Sequence, residues 1–543
     1  MDGLAALPHP RNELVRDYVP GSPEVVAVQA ELVRLRSERP ELTCTIAGQQ
    51  RSGGGEPLDV VEPHNHAHVL GTLHQASPAD VGDAVDAALA AGAAWRELHY
   101  TERAAVLLRA ADLLAGPRRP TLNAATMLGQ SKSVFQAEID AACELIDFLR
   151  FNVSFGERLL TERLNSPPGS WNRFDHRPLE GFVLAITPFN FTAIAGNLPL
   201  APALMGNTVV WKPSPTQQLA AHYTMRLLET AGLPPGVINL VTGDGVAVSQ
   251  VAVPHRDLAG IHFTGSTGTF QQLWATVGEN IGRYRGYPRL VGETGGKDFV
   301  IAHPSAGGLI EELCAALVRG AFEYQGQKCS AASRAYIPRS IWPQLRDRLV
   351  AATEDISYGN VADLKNFGGA VIDRRAYDRA AAVIAALRAD PACRIIAGGG
   401  VDDRVGYFVQ PTIVECDDPE HDVFMTEYFA PILAVHIFAD PRYDDVVAQA
   451  ADVAPYALTG AVWGADRPAI AASLQALRYA AGNIYVNDKP TGATVGQQPF
   501  GGARASGTND KAGSGFNLMR WVSPRVIKET FVPSRDYRYP HMG

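Results

Sequence analysis

Between residues 181 and 302 short apolar runs alternate with amphipathic stretches, and this alternation constrains the fold of the 543-residue chain more than any other feature. Runs at 182–186, 208–211, 237–241, 260–264, 289–292 and 298–302 are rich in Val, Ile and Phe, while 217–230 and 266–277 carry apolar residues three and four apart. Strands joined through helices return to the same edge and run parallel, so the expected fold is α/β, with a doubly wound parallel sheet. A second series predicts helices near 305–324, 340–354, 373–388 and 468–479 and strands near 335–337, 432–438 and 484–487. Two α/β units are expected, joined at the Gly295-Gly296 turn. Ahead of them, 78–98, 101–115 and 133–155 read as helices by the same spacing. The polar insert 165–177, with Pro167-Pro168-Gly169, reads as an exposed hairpin, and the tail beyond about 508 has no core of its own. Both are expected to contact other copies of the chain. No internal repeat is found.

Composition narrows the function classes. A formal charge of -9 argues against a surface built to hold nucleic acid or anionic lipid. Six cysteines show neither C-x-x-C pairing nor zinc-finger spacing with histidine, so most are expected as reduced core thiols. The opening, with Asp2, Pro8, Pro10 and Glu13, lacks the basic and apolar regions of a leader, and the cytosol is the expected compartment. From Gly181 to Trp211 no charged residue or histidine occurs, long enough to span a bilayer, but Pro188, Pro199 and Pro202 with Asn190, Asn197 and Asn207 would break the backbone and strand amides in hydrocarbon. No membrane span is expected.

Several motifs fail on inspection. Gly292 to Asp298 resembles the end of a phosphate loop, but Val291 stands where the first glycine belongs and Asp298 where Ser or Thr would hold magnesium. Gly243-Asp244-Gly245 follows a strand, yet Val248 breaks the dinucleotide fingerprint. Glu62, His64, His66 and His68 share one face of an expected strand, where neighbours do not converge on one ion, so a structural reading is preferred and no metal is expected. The segment Phe322 to Ala331 places Cys329 at the end of a helix between Gly326, Lys328 and Ser330, a polar and positively biased setting that favours thiolate; the same segment reads equally as a buried helix-end thiol. Two further segments tip the balance: Asn190 follows the strand at 182–186 and Glu293 ends the strand at 289–292, both at the carboxyl ends where open α/β sheets bind ligands. A thiol, an amide and a carboxylate in such places suit acyl chemistry as nucleophile, oxyanion donor and base.

In this order the chain also carries Pro188-Phe189-Asn190, Trp211-Lys212-Pro213-Ser214, Phe263-Thr264-Gly265-Ser266, Glu293-x-Gly295-Gly296-Lys297, Gly326-Gln327-Lys328-Cys329, Glu427-Tyr428-Phe429-Ala430-Pro431 and Pro499-Phe500-Gly501-Gly502. Together they resemble the aldehyde dehydrogenase superfamily from about residue 60 to 532. Within it, 191–197, 322–331 and 487–511 are similar to the branch acting on L-glutamate γ-semialdehyde. The resemblance implies two doubly wound parallel-sheet domains plus a small β oligomerisation element. Residues 1–160 would be an N-terminal helical part of the NAD-binding domain, 161–180 an oligomerisation hairpin, 181–296 the Rossmann-like NAD-binding domain, 297–490 the catalytic domain, and 491–543 the substrate anchor loop and oligomerisation tail.

By the same resemblance Cys329 is the nucleophile, Asn190 and the Cys329 N–H hold the oxyanion, and Glu293 activates the hydrolytic water. NAD is the implied cofactor, held along Thr187, Pro188 and Phe189, with Lys212 and Ser214 at the adenosine ribose, Gly245, Gly265 and Ser266 near the pyrophosphate, and Glu427 and Phe429 at the nicotinamide ribose. Pro215 replaces an acidic residue that often selects NAD over NADP, and Ala430 stands where Gly is usual, so that selection stays open. For the substrate, Gly492 and Ala493 N–H groups with Ser330 and Lys328 match the carboxylate anchor, Glu144 the ammonium site, and Phe191 and Phe500 the aromatic walls. Expected partners are a small-molecule substrate, further copies of the chain and, by functional link, a separate proline dehydrogenase. An aldehyde dehydrogenase for another acidic aldehyde, or a catalytically silent scaffold, are the alternatives.

Overall fold

The computed structural model describes residues 6–543; Met1–Ala5, part of the opening on which the leader expectation rests, lie outside the described residues. Two seven-stranded sheets organise them. The first runs, in spatial order, Arg289–Glu293, Leu258–Thr264, Phe182–Thr187, Thr208–Pro213, Ile238–Leu240, Cys44–Ile46 and Gln49–Arg51. The second runs Cys393–Ala397, Thr412–Cys416, Ile432–Phe438, Ala332–Pro338, Asp298–Ala302, Thr459–Trp463 and Asn483–Val486. The chain leaves the first sheet after Glu293 and enters the second at Asp298.

Central strands read as unbroken apolar runs because both faces are covered. Phe182, Leu184 and Ile186 pack into one cluster and Val183 and Ala185 into the cluster on the opposite face. Each such Val or Leu contributes about 1.5–3 kcal/mol by leaving water. The uncharged stretch from Gly181 to Trp211 is therefore core: strand Phe182–Thr187, a buried helix Thr192–Leu204 containing Pro199 and Pro202, and strand Thr208–Pro213. Among the described residues no helix is long and apolar enough to cross a membrane.

Four expectations need correction. The sheets are mixed: Cys44–Ile46 is antiparallel to Ile238–Leu240, and Cys393–Ala397 to Thr412–Cys416. The N-terminal part is not helical throughout, since it also supplies two strands of the first sheet and the hairpin Pro57–Glu62 with Asn65–His74. That hairpin turns at His64, so the three histidines do not share a strand face; His64 and His68 approach Glu62, which Arg36 grips with bonds of 2.6 and 2.8 Å, while His66 meets the Asp403 carbonyl. The insert near 165–177 is not a hairpin either: strand Ser170–Pro178 pairs along its whole length with Val522–Thr530 from the other end of the chain. Polar residues stand on both of its faces, so no apolar alternation in its sequence marks that partner.

Connectivity fixes where a site forms. From Phe182–Thr187 the chain builds outward through Thr208–Pro213 and Ile238–Leu240, then crosses back to Leu258–Thr264 on the other side. The crevice opens at the carboxyl ends of those two neighbours, the switch point at which open α/β sheets bind ligands.

Candidate active site

Asn190 sits just past strand Phe182–Thr187, is buried, and donates from Nδ2 to the Gln327 carbonyl at 3.0 Å. That bond reaches the loop bearing Cys329, which does not close a helix as expected. Helix Ile310–Phe322 ends earlier, and the chain then passes through Tyr324, Gln325 and Gly326 at φ 51°, 54° and 67°. Left-handed non-glycine residues each cost on the order of 1–3 kcal/mol and persist only where their surroundings hold them. Here Gln325 Nε2 donates to the Ser131 and Ala370 carbonyls at 3.0 and 2.7 Å, and Gln327 Oε1 accepts from Ile372 N at 2.9 Å. A side chain at Gly326 would run into the Ala430 carbonyl.

Cys329 keeps partial exposure and is the meeting point of two cavities. The larger, about 1040 Å³, is lined by Thr187, Pro188, Phe189, Asn190, Lys212, Ser214, Gly245, Gly265, Ser266, Glu427 and Phe429. The smaller, about 310 Å³, is lined by Glu144, Phe191, Glu293, Lys328, Ser330, Gly492, Ala493 and Phe500. All the residues predicted for the cofactor fall along one cavity and all those predicted for the substrate along the other. The structure adds Asp244, Thr264 and Arg379 to the first and Asn12, Glu13, Asp147 and Lys489 to the second; Asp244, Thr264 and Lys489 lay within segments already singled out but carried no role, and the other four stood in no motif.

Electrostatics correct the expected thiolate. Lys328 spends its charge on Glu323 at 2.9 Å, and Glu323 also takes Arg319 at 3.0 Å. Burial, aided by the carboxyls of Asp298, Glu293, Glu427 and Glu144, pushes the Cys329 thiol well above its ordinary range. Both effects favour the thiol over the thiolate. Glu293, at the end of strand Arg289–Glu293, is pushed up to about 8 by burial, against an opposing bond from Gly502 N at 3.3 Å. Its value lies near the pH at which a general base works best.

The larger cavity fits a dinucleotide. Ser266 caps helix Thr267–Glu279, whose first N–H groups and dipole favour an anion. Lys212 is buried and burial lowers it to about 8, with Asp244 the charge that opposes the shift. Glu427 is raised to about 7 by burial and accepts from Gly296 N at 3.2 Å. A side chain at Gly295 would overlap the Glu427 carboxylate, and one at Gly265 would lie 2.6 Å from the Phe263 ring, so the walls approach closely by design of the backbone. Phe189 and Phe429 meet edge to face at 5.8 Å.

The smaller cavity is polar at both ends. Glu144 lies in the π-helical turn Glu138–Glu144, an insertion that interrupts the helix expected over 133–155 and turns side chains inward. Burial, then Asp140, raises its carboxyl to about 8, opposed by Lys132 and Lys328. Asp140 accepts from Thr192 N and Ala193 N at 2.9 Å each and pairs with Lys132 at 2.7 Å, fixing the helix that follows Asn190 and Phe191. Lys132 also lies 4.0 Å from the Phe191 ring. Across the cavity, Ser330 and Thr491 share a hydroxyl bond of 2.8 Å, and Gly492 takes φ 94° with Lys489 Nζ 3.1 Å from where a Cβ would stand.

One cluster elsewhere has metal-ligand types: Cys393, Cys416 and His421, with ligand atoms within 4.8 Å of one another. His421 Nδ1 accepts from Val423 N at 3.0 Å, which leaves the ring proton on Nε2, the nitrogen facing Cys393 and Asp390. That nitrogen has no lone pair to give, and no metal role is assigned.

Comparison with known proteins places this geometry. Residues 50–527 match the model of the aldehyde dehydrogenase family. The mitochondrial delta-1-pyrroline-5-carboxylate dehydrogenase of Bos taurus is 47% identical over 532 residues, covering 98% of this chain and 94% of that protein. A crystal structure of the Mycobacterium tuberculosis delta-pyrroline-5-carboxylate dehydrogenase bound with NAD superposes with a TM-score of 0.97 at 59% identity, over 100% of both chains. Proline utilization A from Bdellovibrio bacteriovorus superposes with a TM-score of 0.90 at 28% identity, over 98% of this chain and 55% of that one.

Proposed function

The chain belongs to the aldehyde dehydrogenase family, and from that premise we propose that it oxidises L-glutamate γ-semialdehyde, the open form of Δ1-pyrroline-5-carboxylate, to L-glutamate with NAD. One observation carries the reading: the sulfur of Cys329 lies where a dinucleotide-sized cleft and a small doubly polar cavity meet, with Asn190 on one side and Glu293 on the other.

As its sulfur bonds to the aldehyde carbon, Cys329 passes its proton to the Glu293 carboxylate, which releases it to solvent before the second step, and the resulting oxyanion is met by the Asn190 amide and the Cys329 N–H. The second Nδ2 hydrogen of Asn190 is free for this, since the first is spent on Gln327. Bound NAD supplies the hydride acceptor, and oxidation of the adduct leaves a thioester on Cys329. Glu293 takes a proton from water as the oxygen attacks that thioester, releasing the carboxylic acid and restoring the thiol. Lys212, Ser214, Ser266 and Glu427 hold the dinucleotide. Asp244, beside Lys212, supplies the negative charge that Pro215 does not, and disfavours a 2′-phosphate there.

Recognition is electrostatic. The substrate carboxylate meets the N–H groups of Gly492 and Ala493 and the Ser330 hydroxyl, while Lys328, paired with Glu323, lines the cavity without a free charge to offer; the substrate ammonium meets Glu144, which an adjacent cation returns to the ionised form. Phe191 and Phe500 flank the methylene chain. NADH formation with pyrroline-5-carboxylate and with propanal tests the assignment: the semialdehyde is preferred, and equal or better turnover of propanal overturns it. The reading extends to a reducing cytosol, supported by six free cysteines, and to a homo-oligomer, supported by the exposed Trp171, Val526 and Phe531 on and beside the paired terminal strands. A separate enzyme that oxidises proline would supply the substrate, a link supported by the match to part of a longer proline utilization A chain.

A further inference from the structure

The described residues ahead of the first helix, Pro23–Glu38, namely 6–22, form no regular structure, yet they do not lie loosely on the surface. They reach the substrate cavity, which Asn12, Glu13 and Val15 help to line. Asn12 Nδ2 donates to Asp147 Oδ2 and to the Val495 carbonyl, both at 2.7 Å, and Asn12 Oδ1 accepts from Gln497 at 3.0 Å. Glu13 N donates to Asp147 Oδ1 at 2.7 Å, and the Glu13 carboxylate joins Arg119 and Arg150 at 2.7 Å each. Further along, Arg16 N and Tyr18 OH both donate to Glu138 at 2.9 Å.

We propose that this N-terminal strap is part of the substrate site, and that Asn12 is a positioning residue which sets the distance between the two charged recognition elements. Asp147 follows Glu144 on the same helical segment, and Val495 belongs to the anchor loop with Gly492 and Ala493. Between strand Asn483–Val486 and residue Ala503 that loop has no helix or strand. Its hydrogen-bonded tie to the thiol loop runs through Ser330 and Thr491; on the Glu144 side Gly496 packs on the Phe151 ring, and Asn12 adds a hydrogen-bonded bridge from Asp147 to the Val495 carbonyl. Every donor of the Asn12 amide is used, so a shorter side chain removes the bridge and leaves only apolar packing to hold the loop against the helix. A substrate gripped at both ends tolerates little change in that span, whereas an aldehyde without charges does not sense it.

The inference rests on the substrate reading above, and the test separates the two. Asn12→Ala in the full-length protein should raise KM for glutamate semialdehyde about tenfold, the loss of one hydrogen bond to a charged acceptor, with kcat within about twofold and with KM for propanal and Kd for NAD unchanged. Gln497→Ala, which removes an exposed contact to the same amide, should move KM in the same direction by less. Equal losses for both aldehydes, or unchanged KM for the semialdehyde, overturn the positioning role. A wild-type enzyme that shows no preference for the semialdehyde over propanal refutes the substrate assignment instead.

Discussion

The carboxyl of Glu293 makes the sharpest test of the mechanism, because its environment predicts a pH limb and says which step carries it. Burial raises it to about 8, while the Gly502 N–H and Lys511 pull the other way. The acting form is the carboxylate, so the rate it supports rises with pH, from roughly one tenth ionised at pH 7 to about nine tenths at pH 9. Hydrolysis of the thioester should therefore speed up about tenfold across that interval and level off above it. Rapid mixing separates the steps: the first turnover of NADH reports acylation of Cys329, and the steady rate reports deacylation where that is slower. Glu293→Gln should keep the burst, lower the steady rate by about 10²–10⁴-fold, and remove the limb. Lys511→Met removes a cation that favours the ionised form and should move the limb to higher pH. A limb that survives in Glu293→Gln, or a wild-type steady rate flat from pH 6.5 to 9, would refute the assignment of the base. A limb confined to the burst would belong to the raised thiol of Cys329 instead.

Other consequences are open to measurement. Asn190→Ala should lower kcat by about 10²–10³ with little change in NAD affinity, read from initial rates and from cofactor titration; an unaffected kcat removes the amide from the oxyanion site. Gly295→Ala forces a methyl group into the Glu427 carboxylate, so Kd for NAD should rise by about tenfold or more, and an unchanged Kd would place Glu427 outside the cofactor site. Lys132→Met leaves Asp140 buried without its partner and should cost about 3–5 kcal/mol in denaturant unfolding, whereas Lys132→Met with Asp140→Asn should cost less than the single change; additive losses would show that the pair is not coupled.

Several of these residues were readable from the sequence for a common reason: the information was local. Strand Phe182–Thr187 declared itself because burial on both faces demands an unbroken apolar run, and Asn190 follows it directly. Electrostatics were not local. Lys328 beside Cys329 suggested a thiolate, but its charge is taken by Glu323, while burial, and after it the carboxyls of Asp298, Glu293, Glu427 and Glu144, raises the thiol. The turn at Tyr324 to Gly326 hid as a helix end, because its first two left-handed residues, Tyr324 and Gln325, are not glycines and are held by Gln325 bonds to remote carbonyls. The π-turn that aims Glu144 likewise leaves helical spacing nearly intact.

The least legible contacts are those that join the two ends of the chain, and physics gives a reason. Closing a longer loop costs only about 0.6 kcal/mol more for each doubling of its length, so a contact between distant residues needs hardly more energy than one between near ones. Asn12 and Val495, 483 positions apart, meet through one short hydrogen bond. Strands Ser170–Pro178 and Val522–Thr530 meet through a full ladder. Neither pairing requires a strong local signal, since neither has a steep entropy to offset. Motif order therefore reveals which side chains do the chemistry, while the shape of the cavity around the substrate is settled by segments whose own sequences look like ordinary polar coil.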